Sequence, residues 1–61
     1  MGGEVVNGFA WLVIKGGPWD GGTFYPGGEV VPGAVVKRLP EYGGCYLYGA
    51  DGKCLAWRSR L

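Results

Sequence analysis

The side chains that could take part in acid–base or nucleophilic chemistry are few in this chain and lack partners. The 61 residues include no His, so neither thiol, Cys45 or Cys54, has an imidazole to activate it as a nucleophile. Asp20 and Asp51 each precede a glycine in an x-Asp-Gly triplet, where an Asp carboxylate usually accepts hydrogen bonds from the backbone of a turn. We therefore expect a protein that is not an enzyme.

Metal and phosphate sites are disfavoured by the same side chains. Two Cys and no His cannot complete the four ligands of a tetrahedral zinc site within one chain without carboxylates. The segment 16–22, Gly-Gly-Pro-Trp-Asp-Gly-Gly, is as rich in glycine as a phosphate-binding loop. It lacks the Lys-Ser/Thr pair and the following helix that such loops need. We expect no metal and no cofactor.

Aromatic side chains are the best candidates for a binding surface. Trp19 in the segment 16–22 has two open interpretations: it caps one end of a small core, or it is an exposed anchor, because Trp is enriched in interface hot spots. The first candidate contact surface is Trp19 with Tyr25. A second combines aromatic rings with a basic rim, as on platforms that stack single-stranded nucleic acid, and consists of Tyr46, Tyr48, Trp57 and Arg58.

Composition indicates one small domain with a packed core. Hydrophobic residues make up 48% of the chain and aromatic residues 15%, which argues against disorder despite 14 glycines. A net charge of only +1 provides no overall attraction to nucleic acid. The longest apolar run, Phe9 to Ile14, is far shorter than the roughly 20 residues of a membrane-spanning helix. We expect no membrane association.

Turn signals divide the chain into short strands. Asn7-Gly8 predicts a hairpin between a strand at 4–6 and a strand at 9–15, and the segment 16–22 predicts a second reversal. Pro-Gly pairs predict turns at 26–27 and 32–33, and a strand follows at 34–39. A last hairpin pairs 45–48 with 53–58. The predicted fold is all-β, a small antiparallel meander over 1–61 curled into an SH3-like or similar small barrel.

Two features of these strands lead to further predictions, one about a partner and one about the cysteines. The strand 9–15 is apolar on both faces, so it is predicted to be central in a closed barrel or covered by a second subunit. In the last hairpin Cys54 is never directly opposite Cys45 for any loop of two to four residues, so both thiols are expected to be free. A chain this short gains stability by burying a face against a partner.

The segment 16–21, Gly-Gly-Pro-Trp-Asp-Gly, follows an apolar strand and precedes a Tyr-rich strand, Asp51-Gly52 and a closing strand with an aromatic residue. This arrangement resembles a group of short uncharacterised proteins of actinobacterial phages and their hosts, although the segment 25–40 has no counterpart there. The resemblance implies a viral, bacteriophage origin and action in the cytoplasm of a bacterial host. It also implies three roles: inhibition of a host or defence protein, sequestration of a small nucleotide signal, or decoration of a virion.

Taken together, these features predict a non-enzymatic protein that acts by protein–protein contact, with a host protein or with further copies of itself. A nucleic-acid or small-nucleotide binding module is the alternative, and a structural component of the virion is a third.

Overall fold

Seven short strands and one 3-10 helix form the protein in a computed structural model, which describes residues 6–60, with the backbone alone for residues 6 and 7. The strands are β1 (Val6–Asn7), β2 (Leu12–Lys15), β3 (Thr23–Phe24), β4 (Glu29–Val30), β5 (Val35–Leu39), β6 (Gly44–Tyr48) and β7 (Cys54–Arg58), and the 3-10 helix is Pro40–Tyr42. The predicted all-β class is confirmed: five strands form a sheet that curls into a half-barrel.

The five-stranded sheet has the order β3-β2-β7-β6-β5, and β1 pairs separately with β4. All neighbours are antiparallel except β2 and β7, which are parallel, with Ile14 opposite Leu55. The sheet therefore differs from the predicted antiparallel meander in this one pair. Parallel strands need a long connection, and here the connection contains β3, β4, β5 and β6, so the last strand closes against the first hairpin.

The first half of the chain is one long interrupted hairpin. Val6 lies opposite Val30 in the β1–β4 pair and Leu12 lies opposite Phe24 in the β2–β3 pair, so the same register runs through both. The predicted Asn7-Gly8 turn is wrong, because Asn7 lies in β1 and pairs with Glu29; residues 4 and 5 of the predicted first strand are outside the described residues. Gly8 instead allows the backbone to approach Gly28 closely, since a Cβ on Gly8 would collide with the carbonyl oxygen of Gly28.

The segment 16–22 makes the reversal of this hairpin, as predicted. The Trp19 carbonyl accepts a hydrogen bond from the Gly22 N–H at 3.0 Å, and Gly21 between them has φ 88°, a left-handed conformation that suits glycine. The Asp20 Oδ1 atom accepts a hydrogen bond from the Gly16 N–H at 2.7 Å. Asp20 therefore closes the turn backwards along the chain, rather than towards the residues that follow it.

The core lies on one face of the curled sheet. Its main cluster consists of four buried residues from four strands, Ile14, Leu39, Tyr46 and Leu55. Four partly buried residues pack against this cluster: Phe24, Val36, Tyr48 and Trp57. Strand β2 alternates buried and exposed residues, so Leu12 and Ile14 face the core while Val13 and Lys15 face away from it. One face of the sheet therefore supplies this cluster, whereas Val30 of β4 and Cys45 on the opposite face of β6 are buried outside it.

The last hairpin forms as predicted, and of the registers that loops of two to four residues allow it takes the one with Cys45 opposite Arg58. A hydrogen bond from the Gly52 N–H to the Gly49 carbonyl closes its turn. Both cysteines are free, as expected: Cys45 is buried and Cys54 is partly exposed.

We expect the two thiols to differ in reactivity towards a thiol reagent under native conditions, because Cys45 is only 5% exposed. Cys54 should be modified first, and Cys45 only at the rate at which the protein opens. Mass spectrometry of the peptides after timed labelling measures both rates, with the Cys54→Ser variant as control. Equal rates for the two thiols would contradict the buried position of Cys45.

Candidate functional site

The sheet face that points away from the core is the candidate functional site, and we call it the outer face. Residues opposite each other in neighbouring strands share a face, so the register assigns its members. They are Val13 and Lys15 on β2, Thr23 on β3, Val35 and Arg38 on β5, Cys45 and Leu47 on β6, and Cys54, Ala56 and Arg58 on β7. The alternation along the first hairpin extends this face to Trp11 and Tyr25, which flank β2 and β3.

Aromatic rings form one end of the outer face. Trp11 is 67% exposed, and its ring centroid lies 5.1 Å from that of Tyr25, with the ring planes tilted by 45°. Tyr25 is also exposed, and Phe9 nearby exposes most of its side chain. Two packed aromatic rings hold each other in position and still present apolar area to solvent, as anchor residues of protein interfaces do.

Aliphatic side chains occupy the middle of the outer face. Val13 and Val35 are each about half exposed, and between them in the sheet lie the partly buried side chains of Ala56 and Leu47. Val13 lies on β2, which is hydrogen-bonded to β3 and β7, whereas Val35 begins the edge strand β5, where the register is irregular. The surface around Val13 is therefore held by both neighbouring strands. Its burial by a partner would require little ordering.

Basic side chains form the other end. Arg38 and Arg58 flank Cys45 in one row across β5, β6 and β7, and Lys15 lies beside Ala56 in the next row. All three cations are exposed, and among residues 6–60 none of their side chains takes part in the side-chain hydrogen bonds. They are therefore available to a partner.

Trp19 does not belong to the outer face. Its ring stacks on the ring of Tyr46, with centroids 5.2 Å apart and planes 12° apart, and its backbone N–H donates to the Tyr46 hydroxyl at 2.8 Å. The same hydroxyl donates to the Gly16 carbonyl at 2.7 Å. Trp19 keeps 41% of its surface exposed, and its stack on Tyr46 fits the interpretation in which it caps one end of the core. The stack also separates Trp19 from Tyr25, whose partner is Trp11.

The second predicted surface is divided between the two faces of the sheet. Tyr46 is completely buried, and Tyr48 and Trp57 pack against the core beside it. Arg58 points to the opposite face, since it pairs with Cys45 while Trp57 pairs with Tyr46. The predicted aromatic platform with a basic rim is therefore corrected: Tyr46 is a core residue, and Tyr48 and Trp57 pack against the core on the face opposite Arg58.

Trp11 and Val13 are among the outer-face residues that sequence reasoning left out of the candidate sites, as are Lys15, Val35 and Arg38. The signal was present, because the strand 9–15 is apolar at every position from Phe9 to Ile14 and one of its faces had to lie outside a half-open sheet. Alternation alone does not tell which face that is, since both are apolar.

The described residues 6–60 include no group of three His, Cys, Asp or Glu side chains placed to hold a metal ion. No helix in this part of the chain is long and apolar enough to cross a membrane. Comparisons with protein-family models, curated proteins and solved structures give no match to the chain. The outer face must therefore be interpreted from its own chemistry.

Proposed function

We propose that this protein is non-enzymatic and acts by protein–protein contact, and that the outer face is its contact surface. The observation that carries the proposal is the apolar surface formed by the exposed Trp11–Tyr25 pair and the half-exposed valines Val13 and Val35. Large exposed apolar patches with a polar rim are typical of sites that bind proteins. Trp and Tyr account for many of the residues that dominate binding energy.

The proposal fits the small size of the fold. The described residues bury only seven hydrophobic side chains to less than a tenth of their surface, and domains of this size gain stability from additional burial. A second copy or a host protein placed on the outer face would provide it. The bacteriophage origin implied by the resemblance stays a prediction, and it makes a bacterial host or defence protein the partner to look for.

Two tryptophans allow a matched test of the outer face. Trp11→Ala should leave the free energy of unfolding within about 1 kcal/mol of the wild type, because the ring is 67% exposed and packs on the exposed Tyr25. It should weaken binding by about 2 kcal/mol, roughly 30-fold. Trp19→Ala should do the reverse: it should lower stability by about 1 kcal/mol through loss of the stack on Tyr46, and leave binding unchanged.

The measurement begins with capture of proteins from an actinobacterial lysate on immobilised wild type, Trp11→Ala and Trp19→Ala, with quantification by mass spectrometry. The retained protein is then purified and its affinity for each variant measured by calorimetry. Light scattering of the wild type and of Trp11→Ala reports self-association. The proposal fails if no contact, with another protein or with a second copy, is lost in Trp11→Ala and kept in Trp19→Ala.

A further inference from the structure

The charges of this protein are segregated, although its net charge is only +1. None of the five strands of the sheet contains Asp or Glu, whereas four of the six basic residues lie in these strands: Lys15, Lys37, Arg38 and Arg58. The carboxylates of the described residues lie elsewhere: Asp20 and Asp51 in turns, Glu41 in the 3-10 helix, and Glu29 in the separate β1–β4 pair. The surface of the sheet is therefore locally cationic.

We infer that the outer face docks an acidic partner protein, one that presents carboxylates next to apolar side chains. This inference rests on the proposed function and names the chemistry of the partner. The cations Lys15, Arg38 and Arg58 share the outer face with no strand carboxylate, so the face can be neutralised only by negative charge from outside the sheet. Guanidinium groups bind carboxylates in bidentate geometry, which gives the contact direction as well as energy.

The distance between the aromatic end and the basic end of the outer face determines how the partner's side chains must be spaced. Trp11 precedes Lys15 by four residues, about 13 Å along an extended strand. Arg38 and Arg58 are two strands apart, about 10 Å across the sheet. A partner that fits this face places an aromatic or aliphatic side chain on the Trp11–Tyr25 pair and two or more carboxylates over the three cations. Val13, Ala56 and Leu47 between them receive further apolar contacts.

A single-stranded nucleic acid fits this arrangement less well. Stacking platforms need aromatic rings close to the groups that bind the backbone phosphates, since every base is attached to its phosphate by one sugar. Here the exposed rings and the cations lie at opposite ends of the face, and aliphatic side chains separate them. Valine and leucine bury protein side chains well and offer nothing for bases to stack on.

A second copy of the chain is also disfavoured as the occupant. Two outer faces placed against each other would bring six cations together with no carboxylate from either five-stranded sheet, and like charges in a closed interface oppose association. The open edge of the sheet is protected too. Strand β5 has an irregular register between Val35 and Lys37 and exposes both Lys37 and Arg38, features that oppose the addition of another strand.

The test is a selection of random dodecapeptides, displayed on the surface of a carrier, against the wild-type protein. Enriched peptides should combine several Asp or Glu with at least one aromatic or aliphatic residue. Their affinity should fall when NaCl is raised from about 0.05 to 0.5 M, because salt screens charge pairs at a surface. Arg58→Glu should reduce affinity at least about fivefold, and the triple change Lys15→Glu, Arg38→Glu, Arg58→Glu should reduce it more than about tenfold.

Lys53→Glu is the matched control, because it makes the same change of charge at an exposed residue in the turn before β7. It should leave affinity within about twofold of the wild type. Circular dichroism of every variant establishes that the fold is kept. The inference would be overturned by enriched peptides that carry no acidic excess, or by equal losses of affinity in Lys53→Glu and Arg58→Glu. The proposed function would still stand in either case if binding required Trp11.

The competing occupants are measured in the same experiment. Tighter binding of oligothymidylate than of the selected peptides, with loss in Arg58→Glu, would assign the face to nucleic acid and overturn the inference. A dimer seen by light scattering that disappears in Trp11→Ala would assign the face to a second copy, with the same consequence. Enrichment that is unaffected by Trp11→Ala, or no enrichment at all, would count against both the inference and the proposed function.

Discussion

Tyr46→Ala is expected to leave the chain unfolded at room temperature. The Tyr46 side chain is completely buried, contacts both Trp19 and Trp57 ring to ring, and belongs to the main core cluster. Removing a buried aromatic ring costs about 3–5 kcal/mol, and a single core in a chain below about 80 residues rarely supplies more than that. The far-ultraviolet circular dichroism of Tyr46→Ala should therefore lack the signal of the folded wild type.

Tyr46→Phe isolates the contribution of the hydroxyl. This one group accepts a hydrogen bond from the Trp19 N–H and donates one to the Gly16 carbonyl, so it joins β6 to both sides of the segment 16–22. Its loss should lower the free energy of unfolding by about 1–2 kcal/mol, since the two backbone groups lose a partner in a partly buried site.

Urea denaturation of the wild type and of both variants measures these changes. Tyr42→Phe is the control, because Tyr42 is 59% exposed and its hydroxyl forms no hydrogen bond with another of the described residues. The stability of Tyr42→Phe should stay within about 0.5 kcal/mol of the wild type. Equal stabilities of Tyr46→Phe and Tyr42→Phe would show that the Tyr46 hydroxyl does not stabilise the segment 16–22.

Gly44→Ala should have the second largest effect, about 3 kcal/mol of destabilisation. A Cβ on Gly44 would collide with the Arg58 carbonyl oxygen and with the Trp57 ring. Neither group can move aside easily, because the first is backbone of the neighbouring strand and the second packs against the core. Overpacking of this kind costs about 1–3 kcal/mol, and more when backbone must shift.

Two other glycines, Gly43 and Gly28, serve as controls that separate this steric effect from backbone strain. Gly43→Ala meets open space but has φ 71°, so it should cost about 1 kcal/mol through the left-handed conformation alone. Gly28→Ala meets open space without a left-handed φ and should be neutral or slightly stabilising. Thermal and urea denaturation rank the three variants. A Gly44→Ala variant as stable as Gly28→Ala would contradict the close packing of Trp57 on β6.

Much of the local structure could be predicted from the sequence because its causes are local. Glycine at the left-handed positions 21, 33 and 52, with Asp or Pro beside it, predicts turns that the structure contains. The last hairpin was predicted, but its register was left open, with Arg58, Trp57 or Ala56 opposite Cys45; the structure selects Arg58. The absence of His likewise indicates, before any fold is known, that neither thiol has an imidazole to activate it as a nucleophile.

The misassigned elements depend on partners that are distant in sequence. Asn7-Gly8 has the composition of a tight turn, yet residues 6–7 pair with 29–30, because a long hairpin closed at 16–22 satisfies more backbone groups than a short one at 7–8. The first candidate surface joined Trp19 to Tyr25 because they are close in sequence. In the fold, one stacks on Tyr46 and the other packs with Trp11.

By itself, the sequence determined an all-β chain of short strands, the positions of most turns, two free thiols and an apolar strand with more hydrophobic surface than one core can bury. Only the tertiary structure decided that β7 docks in parallel on β2, and this pairing places Ile14 and Leu55 together inside and Val13, Lys15 and Ala56 together outside. The physical reason is that alternation divides a strand into two faces, whereas the choice between two apolar faces depends on the strand that packs beside it. That choice also brings Lys15, Arg38 and Arg58, far apart in the sequence, onto one surface with Trp11.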